Sequence, residues 1–206
     1  MSTRRTVGAV LFPRFELLDL FGPLEMFGVL KNHFEIVMLA ETAGPVASDQ
    51  GPKCLADRGF GDPGHLDVLL VPGGIGTRKE AENPVMLDFL RRTYPGLEYL
   101  ASICTGAGLL AASGLLDGRR ATTNKMAFDW PRSVGAAVTW VPQARWVEDG
   151  NILTAGGVAA GIDMALALIA KLAGEETAVA VAQGTEYEWH RDAAWDPFAR
   201  LAGLVD

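Results

Sequence analysis

Cysteine and histidine are scarce in this 206-residue chain, with two of the first and three of the second. Cys54 and Cys104 lie far apart, with no Cys-x-x-Cys or Cys/His spacing, so neither a disulfide framework nor a metal site is expected. A reducing, cytoplasmic setting follows from that usage. A basic excess is missing too: 18 Lys and Arg against 25 Asp and Glu give a net charge of −7. Basic residues cluster only in pairs such as Arg4-Arg5, Arg91-Arg92 and Arg119-Arg120, so nucleic acid and anionic membrane are not expected as partners. Long apolar runs are also lacking. The stretch at residues 7–12 is too short for a signal-peptide core. The run at residues 162–172 contains Asp163 and Lys171 and falls short of the ~20 residues of a bilayer span, so it reads as a core helix. No repeat, linker or low-complexity segment is visible. One domain over residues 1–206 is expected, with a sizeable core, since folding buries roughly 70% of the extended-chain surface at this size.

Apolar runs of strand type alternate with segments of helical spacing. Strands are expected at residues 6–12, 34–40, 67–71 and 99–103, and a short one at 121–123. Helical spacing covers residues 17–27, with Pro23 tolerable near a helix start, and residues 83–94. Hairpins are expected at 45–56, turning at Gly51-Pro52, and at 146–154, turning at Asp149-Gly150-Asn151. Gly114 reads as a helix C-cap. This alternation predicts an α/β fold with a doubly wound, mostly parallel sheet and helices on both faces. In such sheets ligands bind beyond the carboxyl ends of the strands. Three segments converge there: residues 13–19, residues 72–76 and Cys104-Thr105.

Cys104 ends an apolar strand and opens a helix. Small neighbours, Ala101, Gly106, Ala107 and Gly108, allow a sharp bend that holds the sulfur toward a substrate. Unpaired amides at that bend favour thiolate and lower the thiol pKa. Cys104 is therefore a candidate nucleophile; the alternative is a buried, inert cysteine. Gly73 and Gly74 let backbone amides approach a ligand, and with the Thr105 amide they form a candidate anion-stabilising hole; the alternative is a plain turn. The spacing of Gly73, Gly74 and Gly76 is not a dinucleotide fingerprint. Asp19, flanked by Leu18 and Leu20, is a candidate proton partner because desolvation raises a carboxyl pKa; the alternative is a helix N-cap. Glu16 and Glu25 read as solvated helix charges. None of His33, His65 and His190 adjoins the thiol, so a carboxyl rather than an imidazole is the expected proton carrier. Cys54 reads as structural.

The segments Val10-Leu11-Phe12-Pro13, Leu18-Asp19-Leu20-Phe21-Gly22-Pro23, Val71-Pro72-Gly73-Gly74 and Ser102-Ile103-Cys104-Thr105-Gly106 together resemble the ThiJ/PfpI superfamily. So do residues 114–123 and 154–163, and the likeness runs in order over about residues 6–185. Within the superfamily the sequence looks most like the isonitrile (isocyanide) hydratase branch. The resemblance implies a flavodoxin-like fold with Cys104 at the nucleophile elbow, Asp19 as catalytic acid, and Thr105 and Gly74 as hydroxyl or backbone donors. It implies cysteine-dependent hydration of isocyanides to N-substituted formamides without a cofactor. A small-molecule substrate and a homodimer with sites near the interface are further implications. Alternative readings are a glyoxalase-type conversion of methylglyoxal to lactate, and a non-enzymatic cysteine redox sensor or holdase. Three departures bear on this. Superfamily proteases carry histidine after the cysteine, where Thr105 stands, so peptidase activity is not expected. Hydratase relatives have a histidine after the Ala-Thr-Thr run, where this chain reads Asn124-Lys125-Met126. Regulators with this fold append a DNA-binding domain, and with the sequence ending at Asp206 a regulator is not expected.

Overall fold

The computed structural model describes residues 4–206. In chain order its elements are β1 (Arg5–Val10), α1 (Leu17–Gly28), β2 (Phe34–Ala40), β3 (Gly44–Ala47), β4 (Lys53–Ala56), β5 (Arg58–Gly59) and β6 (Val68–Val71). There follow α2 (Thr77–Glu80), α3 (Pro84–Thr93), β7 (Tyr99–Ile103), α4 (Gly106–Ala112), β8 (Arg120–Ala121), α5 (Asp129–Val134) and β9 (Thr139–Trp140). The chain continues through β10 (Trp146–Asp149), β11 (Ile152–Ala155), α6 (Ala160–Ala173), α7 (Glu175–Gly184) and α8 (Phe198–Leu201).

Seven strands form one sheet in the order β10-β11-β7-β6-β1-β2-β5. Every pairing in it is parallel except β10 with β11, which is antiparallel. The central strands need no polar face. All four residues of β6, Val68, Leu69, Leu70 and Val71, are buried, as expected for a strand covered on both sides. The order runs outward from β1 in both directions, to β2 on one side and β6 on the other, which makes the fold doubly wound and flavodoxin-like and puts its crevice at the β1/β6 boundary.

The helices dock closely because glycines remove the intervening side chains. A Cβ on Gly22 of α1 would lie 2.8 Å from Ile162 of α6, and one on Gly161 would lie 2.8 Å from Ile103 of β7. Helix α3 starts at Asn83, whose side chain accepts from the Val85 amide at 3.0 Å, with Pro84 at the first helical position. That arrangement satisfies an orphan amide and places proline where no donor is needed.

The strands at 34–40 and 99–103 and both hairpins lie where the sequence places them. Three points differ. Pro23 lies inside α1 rather than at its start; its ring packs toward Gly161, 3.4 Å from a Cβ built there. The strand expected at 121–123 shrinks to β8, because Thr122 and Thr123 turn their bonds to Thr154 and Cys104. Helices α2, α5, α7 and α8 carry no sequence signal read above.

Candidate active site

The carboxyl ends of β1, β6 and β7 deliver three turns to one place. After β7 the chain turns at Cys104 with φ of 57°, a left-handed value for a residue with a side chain. Such backbone costs about 1–3 kcal/mol and persists only where its surroundings impose it. Here the Cys104 amide donates to Ala155 O at 3.2 Å and its carbonyl accepts from Thr123 Oγ1 at 2.8 Å. The bend expected from the sequence is thus formed, and the thiol is held with 7% of its surface exposed.

The turn after β6 interlocks with the turn after β1. The Glu16 amide donates to Gly73 O at 2.8 Å, and Gly74, at φ of 117°, leaves no room for a Cβ beside the Glu16 amide. Gly73 meets the site directly: a Cβ there would lie 2.5 Å from the Thr105 amide nitrogen and 2.8 Å from Asp19 Oδ2. Its own amide donates to Asp19 Oδ2 at 2.8 Å.

The amides of Gly73 and Gly74 do not form the open anion-stabilising hole read from the sequence. Gly73 N is spent on Asp19, and Gly74 N donates to Thr105 Oγ1 at 3.0 Å. Both glycines position the side chains next to them. Thr105, 2% exposed, likewise uses its hydroxyl inside the turn, next to Thr77 Oγ1 at 3.2 Å. Its amide favours the ionised form of the Cys104 sulfur.

Asp19 lies in the first turn of α1 and is fully buried. It is not the N-cap, a position held by Glu16 without a side-chain bond. Burial pushes its pKa up to about 7, opposed by the Gly73 amide bond; the Glu16 charge adds to the rise and a hydrogen bond with Cys104 reduces it. Oδ1 has no close hydrogen-bond partner among the described residues. A buried acceptor left free beside a thiol is a departure that points to function.

The thiol is the clearest correction to the sequence reading. Burial, then the charge of Asp19, push the Cys104 pKa well above the ordinary thiol range; the Thr105 amide and the Asn124 side chain only partly offset this. The bend alone favours thiolate, but a sulfur removed from water beside a carboxylate keeps its proton. Asp19 and Cys104 titrate as a coupled pair, and at neutral pH the sulfur's proton is the one retained.

The three histidines are exposed, as the sequence indicates, with His65 paired to Asp67 at 3.0 Å. Cys54 is half-buried in β4, where burial raises its thiol pKa. Glu16 and Glu25 stay at the surface, and Glu16 accepts from Gln50 at 2.9 Å. The described residues hold no cluster of metal-ligating side chains and no helix long and apolar enough to cross a membrane.

Two groups escaped the reading as site components. Asn124 Oδ1 accepts from the Ala127 amide at 3.0 Å, and the Asn124 side chain favours the ionised form of the Cys104 sulfur. Arg78 donates through Nη1 to Thr77 Oγ1 at 3.1 Å and Gly74 O at 3.3 Å, and its guanidinium lies 4.4 Å from the centre of the Trp130 ring. Arg78 belongs to no motif and is brought in by tertiary packing; Asn124 follows the Ala-Thr-Thr run, where the sequence marks a departure from hydratase relatives but no role at the sulfur. Behind Asn124, Lys125 is buried, with Nζ donating to Thr122 Oγ1 at 2.7 Å, Thr123 O at 3.3 Å and Ala144 O at 2.5 Å, and lying 3.9 Å from Asp196.

Known proteins resemble this chain in sequence and in fold. The chain is 38% identical to an isonitrile hydratase of Pseudomonas putida over 88% of its own length and 78% of that protein. It is 30% identical to the HTH-type transcriptional regulator CdhR of Pseudomonas aeruginosa, over 84% of this chain and 52% of that one. Among solved structures, a ThiJ/PfpI family protein from Pseudomonas syringae superposes with a TM-score of 0.84 at 30% identity, covering 98% of this chain and 85% of the other. The DJ-1/PfpI family profile matches residues 5–171, and the chain belongs to that family.

Proposed function

We propose that this protein hydrates isocyanides to N-substituted formamides through Cys104 and Asp19. The observation that carries the reading is the buried pair itself: a thiol on a strained turn, coupled to a carboxyl poised near neutral pH, while the three histidines are exposed. The likeness to the Pseudomonas putida isonitrile hydratase supports the substrate class.

In the state holding one proton, Asp19 accepts that proton from Cys104, so that sulfur becomes nucleophilic only when substrate is present. The thiolate attacks the terminal carbon of R–N≡C while Asp19 returns the proton to that carbon, forming the thioimidate R–N=CH–S–Cys104. Water adds to the same carbon, the C–S bond breaks, sulfur regains a proton, and R–NH–CHO leaves. General acid–base transfer of this kind contributes about 10²–10⁴ in rate. Thr105, Gly73 and Gly74 act as positioning residues, and no cofactor takes part in any step.

A homodimer is part of the proposal, supported by Leu18 and Phe21, exposed apolar residues that share a hollow with Pro52 and Cys54 beside Glu16. So is a cytoplasmic location. The test is to supply an aryl or alkyl isocyanide to wild type, Cys104→Ala and Asp19→Asn and to follow formamide by mass spectrometry. Formamide from wild type alone supports the reading; equal rates in Cys104→Ala overturn it. Lactate from methylglyoxal without isocyanide turnover would move the assignment to glyoxalase chemistry.

A further inference from the structure

Arg78 has no acidic partner among the described residues, whereas Arg5, Arg119, Arg145 and Arg191 each reach a carboxylate. It is nevertheless not loose. Nη1 is held by Thr77 Oγ1 and Gly74 O, and the guanidinium plane lies over Trp130. Trp130 is fixed in turn by Gly108 of α4, where any Cβ would collide with its ring. The half-buried guanidinium therefore sits on the same turn that aims Thr105, the residue that follows Cys104.

Partial burial costs a cation hydration, and here its partners are neutral oxygens and a ring. Its loss of water dominates its electrostatics. A planar donor fork that is preorganised and lacks an anion binds carboxylate well. The rest of the chain sharpens the contrast, since the net charge is −7.

We propose that Arg78 is a specificity-determining residue that binds an anionic substituent, a carboxylate in the first instance, on the small molecule that reacts with Cys104. Neutral substrates then react without this contact, and acidic ones gain from it. The proposal rests on Cys104 as the reacting atom, but not on the isocyanide.

The experiment compares alkylation of Cys104 by iodoacetate and iodoacetamide, which differ in a carboxylate, in a Cys54→Ser background with site-resolved mass spectrometry. Both reagents respond alike to any change in thiol pKa or exposure, so the ratio of their rates isolates recognition of the anion. In Arg78→Met that ratio should fall about tenfold, the size of one charge-assisted hydrogen bond. Arg78→Lys, which keeps the charge and loses the fork, should lie between, and added salt should lower the wild-type ratio. An unchanged ratio in both variants, with native near-UV circular dichroism, overturns the proposal. Since labelling requires no turnover, a shifted ratio with no formamide production refutes the hydratase reading alone.

Discussion

The Gly73 amide donates to Asp19 Oδ2 at 2.8 Å, so the turn after β6 holds the carboxyl that β1 and α1 supply. One backbone bond thereby aligns two chain segments at the sulfur, and any side chain at Gly73 would break it. Gly73→Ala places a Cβ 2.5 Å from Thr105 N and 2.7 Å from Thr105 Oγ1. Overpacking of this kind costs about 1–3 kcal/mol. The expected outcome is a lower melting temperature and loss of turnover, measured by thermal unfolding and formamide assay.

The pH profile follows from the coupled pair. Below about 7 Asp19 is protonated and cannot take the proton of Cys104; above it the one-proton state forms. The kcat/KM of wild type should therefore rise with pH, level off above an apparent pKa near 7, and show no decline until strongly alkaline pH. Asp19→Asn should lose that limb and about 10²–10⁴ in rate.

Stability should carry the opposite sign. The folded pKa of Asp19, about 7, lies above the ordinary value of 3.8, so the folded state binds the proton more tightly. This contribution is fully present below pH 3.8 and disappears as pH rises through 7. Three pKa units correspond to about 4 kcal/mol. Asp19→Asn, which is free of this titration, should gain stability relative to wild type between pH 4.5 and pH 8.5, measured by denaturant unfolding at both.

Thr105→Val removes the acceptor of the Gly74 amide while keeping shape. A buried amide left unpaired costs about 1–3 kcal/mol, and Thr105→Ser should restore most of it. Thermal unfolding of the two variants separates the hydroxyl from the methyl.

Asn124→Ala withdraws a donor that lowers the Cys104 pKa. Iodoacetamide labelling of Cys104 at pH 9 should slow several-fold, as expected for loss of an interaction worth about 1 kcal/mol.

Local pattern was enough for much of this molecule. The buried run of β6, the apolar stretch ending at Cys104 and the glycine-turn hairpins are periodic or punctuated signals, and each became the expected element. The position of Asp19 between leucines revealed its burial. The chemistry of Cys104 was not legible, because a bend speaks for thiolate while exposure and the distance to a carboxyl exist only in the folded chain. Arg78 was hidden for the same reason, and Asn124 stood out only as a departure from hydratase relatives, not as a partner of the sulfur. The segment after α7 has no periodicity; its course is fixed by Asp163, which accepts from Tyr187 at 3.2 Å and from the His190 amide at 2.9 Å. Such contacts join residues too distant in sequence to leave a local trace.

The buried Lys125 and Asp196 approach within 3.9 Å, and Lys125 grips the Thr122-Thr123 segment that supports Cys104 from behind. During biosynthesis the elbow leaves the ribosome long before its last brace does, an interval of several seconds at roughly 5–20 residues per second. The nascent chain passes that time with its sulfur on a turn that Asp196 does not yet help to brace.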